Sequence, residues 1–270
     1  MPPRFRHLLP IAALVLGACD QAAVQWSNAA PLSTATAAAP GLVLRLPREG
    51  APSLEQPAPP PRGPRLAAPC PGSMVIAAAR PHEWFAAWWS LRMDGTDALY
   101  ASQTRDDGAQ WSEPRIVDDR DRSVSGCQRP PPAIATEPAK GYVQLVYSLD
   151  AGNGQGLWLT HAMAFGDMWH PPVGILFGEH ASRVSVAAAG DTVAVAYEDP
   201  TEPGRVSLAL SFTAGHVFTV HTPASGVGVV ASDPRIALTT PRVAVAWRAG
   251  LTEDAPDSAK VWTERVGEIR

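Results

Sequence analysis

Few side chains in this 270-residue sequence are of the kinds that do covalent or coordination chemistry. There are three cysteines, Cys19, Cys70 and Cys127, and seven histidines. A helical metal site would show His-Glu-x-x-His, two imidazoles one turn apart. That spacing does not occur. His161, His170 and His180 fall at different points of the chain and read as surface or partly packed residues, so neither metal nor cofactor is expected. No glycine-rich phosphate loop is present, and Gly152-Asn153-Gly154-Gln155-Gly156 reads as a hairpin tip. The run Asp118-Asp119-Arg120-Asp121-Arg122 mixes both signs and reads as a solvated loop, with a docking patch as the alternative. Trp84, Trp88 and Trp89 crowd one apolar run. Successive strand residues face opposite sides, so Trp88 and Trp89 cannot share one core. One of them is left for an exposed edge or for stacking on a ligand.

The elements that would position these groups are suggested by composition. Hydrophobic residues make up 46% of the chain and charged residues 18%, enough apolar material for a real core. Twenty-two Lys and Arg against 26 Asp and Glu give a net charge of -4, with no long basic run. Nucleic acid is therefore excluded as an expected partner. Twenty-two glycines, 28 prolines and only 7% aromatics suit many short strands and turns.

Arg4 and Arg6 precede an apolar stretch over residues 8–16 that is too short to span a bilayer, the pattern of a secretory signal. Leu16-Gly17-Ala18-Cys19 closes it and resembles the lipobox of bacterial lipoproteins; an ordinary signal with a chance cysteine is the alternative. The resemblance implies removal of residues 1–18 and lipidation of Cys19 as the first mature residue. It also implies a membrane tether in the bacterial cell envelope, on the periplasmic face of the inner or outer membrane, and an oxidising compartment. Residues 19–69 are rich in Ala, Pro, Ser and Thr and read as an extended spacer with a reach of roughly 150 Å at most. One short strand, residues 41–47, interrupts it.

Residues 70–270 repeat. Val75-Ile76-Ala77-Ala78, Ala133-Ile134-Ala135-Thr136, Val184-Ser185-Val186-Ala187 and Arg235-Ile236-Ala237-Leu238 each open a unit. Each is followed by a strand ending in an aromatic, and those aromatics, Trp89, Tyr147, Tyr197 and Trp247, stand 58, 50 and 50 residues apart. A third strand follows in every unit. Four units of three or four strands predict an all-β chain, a β-propeller of about four blades. The fourth unit stops near Arg270 without an outermost strand, and the strand at 41–47 is the candidate to close the ring. Missing blades from another subunit are the alternative. Cys70 and Cys127 precede Ile76 and Ile134 by six and seven residues, which puts both in loops entering adjacent inner strands. A disulfide there is preferred to free thiols and would contribute about 4 kcal/mol on the chain-entropy account.

After the third strand of the first unit stand Thr104, Asp106, Gly108 and Trp111, with Gln110 between the last two. This pattern resembles the Asp-box of the sialidase-like (BNR-repeat) propellers, which has Thr where Gln110 stands. Eroded copies follow at Ala162, Ala164, Gly166 and Trp169, and at Ser211, Thr213, Gly215 and Phe218. The box reads as a folding motif: hydroxyl and carboxylate cap backbone donors, and the glycine takes a positive φ.

A sialidase needs arginines for the substrate carboxylate, a Tyr nucleophile with a Glu partner and an acid/base Asp. Leu44-Arg45-Leu46-Pro47 is similar to that family's Phe-Arg-Ile-Pro motif, which makes Arg45 the one catalytic candidate. Arg235 and Arg248 read as solvated. Of the four tyrosines, Tyr100, Tyr142, Tyr147 and Tyr197, three sit at repeat-equivalent packing positions and none comes late in the chain. The preferred expectation is a non-catalytic, membrane-anchored propeller that binds an envelope protein or glycan partner. A sialidase-type exo-glycosidase acting on envelope or host glycans is the alternative.

Overall fold

The computed structural model describes residues 22–32, 41–65, 69–124, 126–152, 154–252 and 260–270. Cys19 and the residues read as a signal lie outside these. Apart from one short 3-10 turn, Ala164–Gly166, the regular structure described is β. Each repeat folds into one antiparallel sheet. The first blade is β5 (Val75–Arg80), β6 (Glu83–Leu91), β7 (Asp97–Thr104) and β8 (Arg115–Asp118). The second is β9 (Ala133–Glu137), β10 (Tyr142–Asp150), β11 (Gln155–Met163) and a split outer edge, β12 (Met168–Trp169) and β13 (Val173–Phe177). The third is β14 (Val184–Ala189), β15 (Thr192–Glu198), β16 (Val206–Ser211) and β17 (Val220–Pro223). The fourth has β18 (Val230–Thr239), β19 (Arg242–Gly250) and β20 (Val261–Ile269).

Strand alternation decides how the blades stack, because neighbouring residues face opposite sides. In β15, Val193 and Val195 pack toward the second blade while Ala194 and Ala196 face the fourth. In β19, Val243, Val245 and Trp247 fill the core shared with the third blade, and Ala244 and Ala246 turn the other way. Large residues on one face and alanines on the other let adjacent sheets interdigitate at close range.

The fourth blade takes its outer edge from the N-terminal segment, but not from residues 41–47. β1 (Val24–Trp26) and β2 (Ala30–Pro31) pair antiparallel with β20, in the registers Val24↔Ile269 and Ala30↔Glu264. Gly267 permits this, since a Cβ there would lie 2.5 Å from a Val24 methyl. The expected closing strand instead forms a hairpin, β3 (Val43–Arg45) with β4 (Ser53–Glu55). Its Leu42, Leu44, Leu46 and Leu54 bury themselves on the alanine face of the fourth blade, against Trp262. Blade side chains also hold its backbone: Arg235 donates to the Leu42 carbonyl (2.9 Å), Thr239 to that of Leu46 (2.8 Å) and Arg242 to that of Pro47 (2.8 Å). The expectation of a free spacer therefore fails wherever residues 22–65 are described. Further along, Trp111 donates to the Arg62 carbonyl at 3.0 Å, and Gly108 lies against Pro61, so the segment ends on the free side of the first blade.

Beneath the hairpin, Glu264 shares its face of β20 with Trp262 and Val266. One of its carboxylate oxygens is buried without a hydrogen-bond partner, and burial pushes its pKa up to about 7.

Two outcomes follow from this packing. Leu44→Ala should cost about 2–4 kcal/mol in denaturant unfolding, as for a core leucine; a spacer residue would change stability by less than about 0.5 kcal/mol. For Glu264 the folded pKa exceeds the unfolded one, so its contribution to stability falls as pH rises from about 4.5 to 7. Glu264→Gln should match the parent's melting temperature near pH 4.5 and exceed it above pH 7.

Candidate functional site

The inner strands of the four blades and β3 converge on a cavity of about 700 Å³ at the propeller axis. Met74 and Val75, Ala133, Arg183 and Val184, Asp233 and Arg235, and Leu42 line it. Its ionisable residues are Arg183, Asp233 and Arg235. A bulge between Ser232 and Arg235 turns β18 at this point and leaves Asp233 with φ of 55°, a left-handed conformation that Asp tolerates better than most residues. Two contacts hold that geometry: the Asp233 amide donates to Glu198 at 2.9 Å, and the Asp233 carboxylate accepts from Arg235 at 2.7 Å. Glu198 also accepts from the Arg183 amide at 3.3 Å. Arg235, expected on the solvated surface, is thus three-quarters buried and occupied by Asp233 and by the Leu42 and Pro234 carbonyls. The guanidinium of Arg183 is exposed at the cavity and has no carboxylate partner among the described residues.

Arg45 does not reach this cavity. It lies on the outward face of the hairpin, 63% exposed, with Glu55 at 3.7 Å. Because Leu44 and Leu46 point into the blade, the pleat turns Arg45 away from it. Tyr147 is fully buried and donates to Asp118 at 2.7 Å; burial raises its pKa well above the ordinary range. Trp88 and Trp89 are both buried, on opposite faces: Trp89 packs edge-on against Tyr147 and Trp88 stacks on Tyr100. Neither is left for ligand stacking, because both faces of the first blade are covered.

The charge run read as a solvated loop is so only in part: Asp119 and Arg122 are exposed, but Asp118, Arg120 and Asp121 belong to the seam between the first two blades. The side chains of Asp118 and Asp121 are fully buried. Arg120 grips Asp118 with two nitrogens, at 3.0 and 2.7 Å, and lies over the Trp158 ring. Arg129 grips Asp121 at 3.1 and 2.5 Å and reaches Gln155 in the second blade at 2.8 Å. Cys70 and Cys127 are joined by a disulfide on the same seam.

The Asp-box residues form a local network. Thr104 accepts from the Gly108 amide at 3.1 Å and Asp106 from that of Gln110 at 2.9 Å. The third blade repeats it, with Ser211 accepting from Gly215 and Thr213 from Val217, both at 3.1 Å. Hydrogen bonding holds the Asp106 carboxyl below the usual carboxylate range.

The histidines depart furthest from expectation. His161, His170 and His216 come together between the second and third blades, although no spacing in the chain announces it. His161 is buried, and burial, with the neighbouring imidazoles, lowers its pKa to about 4. His180 stands apart, in a separate cleft with Asp199 and Lys260.

No protein-family model matches the sequence, and neither does any curated relative. Among solved structures, the Hadza microbial sialidase Hz136 is similar over 71% of this chain and 45% of its own, with a TM-score of 0.50 at 14% identity. A Trypanosoma rangeli sialidase with the inhibitor DANA matches 78% of this chain and 38% of its own (TM-score 0.48, 13% identity). The Penicillium chrysogenum alpha-L-arabinanase matches 71% and 56% (TM-score 0.48, 10% identity). The chain spans less than half the length of those two sialidases. The likeness is one of fold: this is an all-β, sialidase-like propeller.

The buried pair on the first seam is testable. Arg129→Met should destabilise the protein by about 3–5 kcal/mol, because it strands the Asp121 charge in the interior. Adding Asp121→Leu should recover much of that loss in the same unfolding measurement; equal stability of Arg129→Met and the parent would show that the pair does not hold the seam.

Proposed function

We propose that this protein is a lipid-anchored propeller of the bacterial envelope that binds the acidic end of a glycan in its axial cavity and does not cleave it. The observation that carries the reading is Arg183, an exposed guanidinium with no carboxylate partner among the described residues, at a cavity of about 700 Å³. That volume lies within the range of small-ligand sites, and a planar guanidinium matches a carboxylate bidentately. Asp233 and Arg235 neutralise one another beside it, leaving Arg183 to set the sign of the site. The solved structures of similar fold include sialidases and an arabinanase, which supports a carbohydrate as the ligand class. The position of Arg45, turned outward and paired with Glu55, favours binding over sialidase-type hydrolysis. The lipobox-like Leu16-Gly17-Ala18-Cys19 supports the anchor. With Cys19 diacylated, the protein would be held stably at a membrane surface.

A glycan array pairing sialic- or uronic-acid-terminated oligosaccharides with neutral counterparts tests the site. Acidic glycans should bind, and Arg183→Ala should weaken them about 10- to 100-fold, the worth of one charged hydrogen-bonded contact. Equal binding by the variant, or turnover of a fluorogenic sialoside, would overturn the proposal. For the anchor, Cys19→Ser should move the protein from the membrane to the soluble fraction.

A further inference from the structure

Three imidazoles meet on the seam between the second and third blades, outside the axial cavity. His161 is on β11, His170 immediately follows β12, and His216 sits in the turn between β16 and β17. The His161 and His170 rings stack with centroids 4.4 Å apart, and His216 meets them nearly at right angles, at 4.6 and 5.5 Å. One nitrogen from each ring lies within 4.8 Å of the other two. Nitrogens bound at about 2.1 Å around one tetrahedral ion would be ~3.4 Å apart. Small ring movements therefore suffice to close the set on one ion.

His161 points to a ligand independently of this spacing. Its side chain is 1% exposed, and its Nε2 has no hydrogen-bond partner. An unsatisfied buried nitrogen costs about 1–3 kcal/mol. A cation inside the triangle would satisfy it. Tyr142 packs edge-on against the ring, and the His170 amide donates to the His161 carbonyl at 2.9 Å, which sets the two backbones side by side. A thioether stands at the edge of the cluster, with Met163 Sδ 3.0 Å from His170 Nε2. No carboxylate belongs to this group of potential ligands. Hard, oxygen-preferring ions such as Ca²⁺ and Mg²⁺ are thereby disfavoured. Imidazoles suit zinc and copper, and a soft thioether tilts the set toward Cu⁺ in particular.

We propose that His161, His170 and His216 bind one first-row transition-metal ion, zinc or copper, with Met163 as the donor that favours copper. Such an ion would clamp the second blade to the third, because His216 is the ligand that comes from the third blade. Nothing in the axial cavity contributes to this site, so it stands or falls apart from glycan binding.

The test uses tag-free protein with its disulfide intact, titrated with Zn²⁺ and separately with Cu²⁺ against a competing chelator. One equivalent of at least one of these ions should bind and raise the melting temperature, and EDTA should reverse the rise. His216 is exposed and His170 partly so, so His170→Ala/His216→Ala should keep the parent's circular dichroism and its melting temperature in chelator. That variant should bind at least about tenfold more weakly and lose the thermal response. Met163→Leu, similar in volume, should weaken Cu⁺, titrated separately with ascorbate present, while leaving Zn²⁺ unchanged. In the copper-loaded parent, electron paramagnetic resonance should show nitrogen hyperfine structure that the double variant lacks. The metal site is overturned if neither ion binds stoichiometrically, or if the double variant binds as tightly as the parent. Unchanged Cu⁺ affinity in Met163→Leu would overturn the part given to the thioether.

Discussion

A twisted sheet with two apolar faces cannot be left half covered, and the rest of this molecule follows from that constraint. In a closed propeller every blade is covered by two neighbours, but a run of four consecutive sheets leaves one face of the first and one of the fourth open. The N-terminal segment covers both. Its leucines at 42, 44, 46 and 54 fill the alanine face of the fourth blade, and residues 61–63 lie along the far side of the first, against Trp111, Gly108 and Met74. The alanines of β19 are small enough to admit those leucines without a full fifth sheet. The axial cavity inherits this arrangement, because Leu42 and Val43 line it together with the inner strands of all four blades.

The seams between blades are not built alike. Between the third and fourth, Leu208, Leu210, Val243, Val245 and Trp247 form an apolar core. Between the first and second, the core around Trp89, Leu145 and Tyr147 is bordered by the buried pair Arg129–Asp121, the partly exposed pair Arg120–Asp118 and a disulfide. A buried pair is weak evidence for stability, since desolvation offsets most of its attraction. What it does fix is register: Asp118 satisfies the Tyr147 hydroxyl, and Arg129 reaches Gln155, so both bonds break if the blades slide. The seam between the second and third blades combines an apolar core of Leu157, Leu159, Val193 and Val195 with the histidine cluster.

The four repeats were legible because each is local. Val-Ala alternation such as Thr192-Val193-Ala194-Val195-Ala196 and an aromatic every fifty residues or so carry the strand pattern within a short window. The Asp-box was legible for the same reason, its hydrogen bonds spanning four residues. The correct outer strand of the fourth blade was not, because Val24-Gln25-Trp26 is too short to show alternation and its partner lies more than 240 residues away. The stronger pattern at 41–47 marked a real strand but a different role. Asp118 and Asp121 misled for a physical reason: a carboxylate's cost of burial is set by partners such as Tyr147 and Arg129, which come from elsewhere in the chain. Arg183 carries no local signature at all.

The histidine cluster shows how the box motif itself can deliver chemistry. A box turn brings its glycine against the preceding element: Gly215 would meet Leu159 and Gln144 of the second blade if it bore a Cβ, and Gly166 would meet Phe85 and Gln103 of the first. The turn thus aims its own residues at the seam. In the first blade the position after the glycine is Ala109; in the third it is His216, which the turn carries to the face of His161. In the second blade the box has lost its hydroxyl at Ala162, and histidines flank its remains, His161 before that alanine and His170 after the box aromatic Trp169. Erosion of the two boxes and assembly of the three imidazoles therefore involve the same turns. A motif that holds a hairpin together in one blade becomes, with different side chains on the same backbone, a way to place ligands across a blade-to-blade contact.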